Sequence, residues 1–271
     1  RGENGMLFAN IDILDEELVH QKGRYVGVKD QRIAYIGPDA PAEDFGETYD
    51  GSGRLLMPGF VNAHSHSAMT LMRGYGENMA LADWLSRRIF PFEARMDEEA
   101  VYNGTMLAAA EMLRFGIVST TDMYFHLGAV SRAVLESGIK MNFGLGLTCS
   151  DDRGIRGLPA FQELLEGLAQ HHNAGGGRFR LDAGIHGEYT STPRVVEEMA
   201  AFAKEKGLNL HVHLSETRGE HEACKKRRGG RTPARYFHDA GVFDVPATAA
   251  HCVWIEGEDF DLLREKNVTV A

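Results

Sequence analysis

Leu55-Leu56-Met57-Pro58-Gly59-Phe60-Val61-Asn62-Ala63-His64-Ser65-His66 is where the pattern of this chain changes. Before it, residues 1–57 read as short strands and turns. Met6–Leu14 alternates at period two, and Arg24–Val28 with Arg32–Gly37 reads as a hairpin turning at Lys29-Asp30-Gln31. This is a small β module, too small to hold a full core alone. From Leu55 onward, short apolar runs alternate with helical patterns. The strands expected are Leu55–Ala63, Ile117–Met123, Lys140–Leu147, Phe179–Ile185, Asn209–Leu214, Ala247–Cys252 and Asn267–Ala271. Glu98–Phe115, Leu158–His171, Pro193–Lys206 and Asp259–Lys266 carry helical periodicity between them. Strands separated by helices predict βαβ units and a parallel sheet. Seven of them suit an α/β fold of the (β/α)8 TIM-barrel type, incomplete and ending near strand seven, with the β module at its N-terminus. The domain boundary expected is 1–57 against 58–271.

Composition narrows the function. The chain has 271 residues, 43% hydrophobic and 25% charged, which is ordinary for a folded globular protein. Its formal net charge of -10 provides no general attraction to nucleic acid or anionic lipid, so neither is an expected partner. No apolar run approaches the ~20 residues that cross a bilayer. The cysteines Cys149, Cys224 and Cys252 share no CxxC spacing, which favours free thiols in a reducing compartment, the cytoplasm. The chain opens on Arg1 rather than Met, as expected of a native start at Met6 or of a piece of a longer chain. The basic run Lys225-Lys226-Arg227-Arg228 reads as a solvated loop.

Histidine placement carries the chemistry. His64 and His66 sit at i and i+2, so on a strand their imidazoles share one face and could ligate one metal ion. An HxH pair by itself is weak evidence for a metal and reads more readily as two strand-end residues satisfied by water. His211-Val212-His213-Leu214-Ser215-Glu216 repeats the spacing and adds a carboxylate just past the strand end, where a water activated by a metal needs a proton acceptor. His211 reads equally as a core histidine. His186 and His251 end two further strands, and strand ends are where barrel enzymes place catalytic groups. His126 is a further candidate for lining a pocket. GxSxG, P-loop, GxGxxG and HExxH motifs are all missing.

Pro58–His66 behind a small β module resembles the metal-dependent amidohydrolase superfamily. Arg73-Gly74-Tyr75-Gly76-Glu77-Asn78, Asp83-Trp84-Leu85, Pro91-Phe92-Glu93, His211–Thr217 and Ala250-His251-Cys252-Val253 resemble its S-adenosylhomocysteine/5'-methylthioadenosine deaminase and chlorohydrolase branch. The resemblance implies a (β/α)8 barrel with a β-sandwich built from both chain termini. It implies His64, His66 and His213 as ligands of one divalent ion, zinc or alternatively Fe2+. Glu216 would be the proton shuttle and His251 would orient or polarise the hydrolytic water. His186 would contact the substrate ring and Glu93 would bind ribose hydroxyls. Trp84, Arg73 and Glu77, on the loop after the first barrel strand, are candidates for specificity. Where some nucleoside-acting members carry an Arg after strand three, this chain has Gly144-Leu145-Gly146-Leu147, with Arg153 or Arg156 as substitutes. The branch also places a metal-site Asp at the end of strand eight, which no Asp of this sequence matches.

The function expected is hydrolytic deamination of an amino-substituted heteroaromatic small molecule, an adenosine-type nucleoside. The alternatives are hydrolysis of a triazine, a pyrimidine or another cyclic C–N or C–Cl bond, or a truncated, non-catalytic fragment. Open sheet edges in such a piece would favour homo-oligomers.

Overall fold

The computed structural model describes residues 5–151 and 153–271, so the first four residues of the expected N-terminal module lie outside it. The chain divides into two compact units, Arg1–Phe60 and Val61–Ala271.

The first unit is one mixed sheet of five strands. β1 (Gly5–Leu14) pairs antiparallel with β2 (His20–Lys29), which pairs antiparallel with β3 (Arg32–Gly37). β4 (Glu47–Asp50) and β5 (Leu55–Leu56) lie parallel to β1, one after the other along its length. The hairpin turn is tighter than expected. Lys29 pairs with Arg32, leaving Asp30-Gln31 as a two-residue loop with φ of 50° and 65°. Two successive positive φ values are what the right-handed twist of flanking strands demands. The core here is Ile11, Ile13 and Val26 with Phe8 and Leu56 against them.

The second unit holds a parallel seven-stranded sheet with helices between its strands, the barrel-type α/β architecture expected. Its strands are β6 (Phe60–Ser65), β7 (Ile117–Tyr124), β8 (Lys140–Leu145), β9 (Phe179–Ile185), β10 (Leu210–Leu214), β11 (Ala247–His251) and β12 (Thr269–Val270). Each neighbours the next in sequence, and the pairings from β7 through β12 are all parallel. Every residue of β10 is buried, as a parallel strand covered on both faces requires. Phe143 of β8 stacks on Phe179 of β9 at 5.8 Å inside the core.

One expected strand is two. Leu55–Ala63 breaks at Met57-Pro58-Gly59, with β5 in the N-terminal sheet and β6 in the barrel sheet. Proline cannot donate to a ladder, so Pro58 marks the change of sheet.

The helices follow their end signals. Glu98–Arg114 is capped by Asp97, whose carboxylate accepts from the Ala100 amide at 2.9 Å. Pro159–Gln170 and Pro193–Lys206 begin on proline, and the latter ends on Gly207 in the left-handed region. Leu127–Ser137, Arg218–Arg227 and Pro233–Asp239 are helices that the sequence pattern left unassigned. The basic run is therefore no loop: Lys225, Lys226 and Arg227 form the last turn of a helix, where cations meet the negative end of its dipole. Glu98–Arg114 packs closely on the segment after His66, because Gly104 lacks a Cβ that would stand 2.5 Å from the Ala68 carbonyl. No described helix is long and apolar enough to cross a membrane.

Candidate active site

Strand geometry assembles the histidines. β6 turns His64 and His66 to one face, β10 supplies His213, β11 ends on His251, and His186 follows β9. Their rings form one cluster. His64 lies 4.8 Å from His66, 5.0 Å from His213 and 5.1 Å from His251 between centroids. His186 lies 4.9 Å from His213, and His213 stacks on His251 at 5.3 Å.

Hydrogen bonds set the tautomers. His66 Nδ1 lies 2.6 Å from the Met123 carbonyl and His213 Nδ1 lies 2.6 Å from the His186 carbonyl. A carbonyl only accepts, so both Nδ1 atoms donate and both Nε2 atoms carry lone pairs. Those two Nε2 atoms face each other at 3.2 Å. Two lone pairs converging repel unless a cation or proton lies between them. At zinc–nitrogen distances of about 2.05 Å, a tetrahedral angle separates two ligand nitrogens by about 3.3 Å. His64 Nε2 is buried with no partner, and its Nδ1 lies 3.0 Å from His211 Nε2. Donation from His64 Nδ1 to His211 turns a third Nε2 lone pair free. Ligand atoms of His64, His66 and His213 lie within 4.8 Å of one another. Burial holds the His64 imidazole down to about 2 and His213 well below its usual range, so both are neutral, as metal ligands must be. These residues fit a divalent cation. His211 packs behind His64 and is fully buried.

The carboxylate beside the cluster is placed by backbone. Ser215 has φ 47°, turning the chain sharply at the end of β10. Thr217 and Glu220 then close a capping box on the following helix, and the Glu216 amide donates to Glu220 Oε2 at 2.9 Å. Burial raises the Glu220 carboxyl to about 6. Glu216 Oε2 comes to 3.7 Å from His251 Nε2. His251 and Cys252 are also left-handed, at φ 76° and 51°. Strained backbone of this kind collects at functional sites.

The cluster floors a cavity of about 490 Å³. Glu93, Trp84 and His186 line it together with His64, His66, His213, Glu216 and His251. Burial raises the Glu93 carboxyl against a Tyr124 hydrogen bond that lowers it. His186 Nδ1 lies 3.0 Å from Thr190 Oγ1, and burial holds its ring down to about 4. Arg153 stands apart. It binds Asp151, with Nε 2.7 Å from Oδ1, and lines a separate depression with Ile155 and Arg156. An exposed arginine two residues from an aspartate in a tight loop takes that local partner. Arg73 is held by Glu111 at 2.6 Å, and Arg73 and Glu77 line a neighbouring depression. His126 contacts the Met96 carbonyl at 3.3 Å rather than lining the cavity.

Sequence patterns missed Tyr124, Thr148 and Tyr189 in the cavity wall. Their signal was position, since each ends or closely follows a barrel strand. They missed Glu188 as well. This carboxylate is buried and accepts from Arg227 and, at 2.7 Å, from Arg228 Nε. It ties the segment after His186 to the helix after Glu216.

Comparison with known proteins gives these matches. The amidohydrolase family model matches residues 55–271. The 5-methylthioadenosine/S-adenosylhomocysteine deaminase of Moorella thermoacetica is 39% identical over 249 residues, covering 91% of this chain. The chain spans 57% of that relative's length. An adenosine deaminase from Xanthomonas campestris with bound zinc superposes with a TM-score of 0.86 at 25% identity, over 98% of this chain and 61% of that one. An atrazine chlorohydrolase from Arthrobacter aurescens, complexed with zinc, gives a TM-score of 0.87 at 20% identity over 98% of this chain and 64% of its own, a likeness of fold.

Proposed function

Because the chain belongs to the amidohydrolase family, we propose that the whole protein is a metal-dependent hydrolytic deaminase. Its substrate would be an adenosine-type nucleoside: S-adenosylhomocysteine, methylthioadenosine or adenosine. The carrying observation is the convergence of the His66 and His213 Nε2 atoms at 3.2 Å, with Glu216 and His251 in the same cavity. The name of the Moorella relative supports the nucleoside class.

His64, His66 and His213 would hold the ion, zinc or Fe2+. Bound there, a divalent ion supplies Lewis acidity and lowers the pKa of water from 15.7 to roughly 7. Glu216 accepts the proton of the attacking water and delivers it to the ring nitrogen beside the amine-bearing carbon. The water oxygen adds to that carbon, the C–N bond breaks, and ammonia leaves with a proton passed through Glu216. His251, 3.7 Å from Glu216, orients the water. His186 contacts the ring and Glu93 takes the ribose hydroxyls, with Trp84 lining the same cavity as a specificity residue. Three buried free thiols support a reducing compartment, the cytoplasm.

Ammonia release from adenosine, S-adenosylhomocysteine, methylthioadenosine, cytosine, guanine and melamine tests this reading. Release from one or more of the three nucleosides, well above the others, is expected; release from none of the six sinks it. His213→Ala is expected to lose most of its bound metal by elemental analysis. Unchanged metal content would remove His213 from the ligand set.

A further inference from the structure

Asp122 sits near the end of β7 with its side chain wholly buried, and the chemistry above leaves it unused. Its Oδ1 accepts three hydrogen bonds from one short segment. They come from Ser65 Oγ at 2.7 Å, the Ser67 amide at 2.6 Å and Ser67 Oγ at 2.8 Å. Ser65 lies between His64 and His66, so on the strand it points away from them and toward β7. There it also meets Thr120 Oγ1 at 2.8 Å. The next residue, Met123, orients the His66 ring through its carbonyl at 2.6 Å. Two consecutive residues of β7 thus hold the backbone and the ring of one histidine.

We propose that Asp122 is a positioning residue for the metal site, holding the His64-Ser65-His66 segment in ligating geometry through the bonds to its Oδ1. Without that acceptor, the Ser67 amide and two hydroxyls lose their common anchor. The segment then turns about its own backbone, and the imidazoles leave the separation that one cation spans. Partners that orient metal ligands are worth about 10- to 100-fold in affinity.

The inference rests on the metal site proposed above, and the test separates the two. The whole protein is stripped with a chelator and titrated with Zn2+ and with Co2+, whose visible spectrum reports ligand geometry. Asp122→Ala is expected to bind about 10- to 100-fold more weakly and to shift the Co2+ bands. Asp122→Asn keeps a carbonyl oxygen at Oδ1 and is expected to recover both affinity and spectrum. Wild-type affinity and bands in Asp122→Ala overturn the inference alone. So does an Asp122→Asn as weak as Asp122→Ala, which would make charge the determinant rather than positioning. A wild-type protein that binds neither ion overturns the metal site and the inference together. Should Asp122→Ala fail to fold, Ser65→Ala replaces it: a loss of at least about threefold supports the inference and an unchanged affinity overturns it.

Discussion

Glu216→Gln is expected to lower kcat of the whole protein by about 10²- to 10⁴-fold, with bound metal at the wild-type level. The carboxylate is not one of the three histidines that could hold the ion, so the amide should not disturb their cluster. Glutamine keeps the shape and the hydrogen-bonding reach but can neither accept the water proton nor pass it to ammonia. The backbone that places residue 216 is independent of its side chain. The left-handed Ser215 and the Thr217–Glu220 capping box both lie outside it. Substrate affinity should therefore change much less than turnover. Steady-state kinetics with elemental analysis on the same preparation checks this. A fall of less than about tenfold would take the proton shuttle away from Glu216.

Glu188→Ala is expected to cost about 3 kcal/mol of stability, read from chemical denaturation. Removing one partner of a buried ion pair strands the others, and breaking such pairs typically costs about 3–5 kcal/mol. The lower end applies here because Arg227 remains 44% exposed and can turn to water. Arg228 is only 18% exposed and is held over the Tyr236 ring at 4.4 Å, so it has less freedom to escape. Glu188→Gln, which keeps an acceptor, should lose about half as much. The segment carrying His186 is moored by this carboxylate, so KM should rise in both variants. A loss under about 1 kcal/mol for Glu188→Ala would show that the arginines are satisfied by solvent.

The site was legible in sequence where it depended on local geometry. His64 with His66 and His211 with His213 are paired by the two-residue period of a strand, and that period holds wherever a strand forms. Their place at strand ends, with His186 and His251, followed from the alternation of apolar runs and helical patterns. The helical patterns over Glu98–Phe115, Leu158–His171 and Pro193–Lys206 fall within a residue of helices Glu98–Arg114, Pro159–Gln170 and Pro193–Lys206, since helical periodicity is also local.

Partnerships across long separations were not legible. Asp122 meets Ser65 across 57 residues, and Glu188 meets Arg228 across 40. Each residue type is ordinary by itself, and its role lies in which strand neighbours which. Arg153 came from the resemblance as a substitute for an Arg after strand three; in the structure it binds Asp151 two residues away, a contact that the resemblance did not indicate. Lys225–Arg228 looked like a solvated loop because the carboxylate that buries part of it lies on another strand's end. Leu55–Ala63 looked like one strand because apolar periodicity continues through Pro58 although the ladder does not. Local periodicity thus sufficed for the barrel-type alternation and for the histidine pairs. The converging lone pairs, the buried carboxylate clamps and the lining of the cavity arise only when the parallel sheet brings distant strand ends within hydrogen-bonding range.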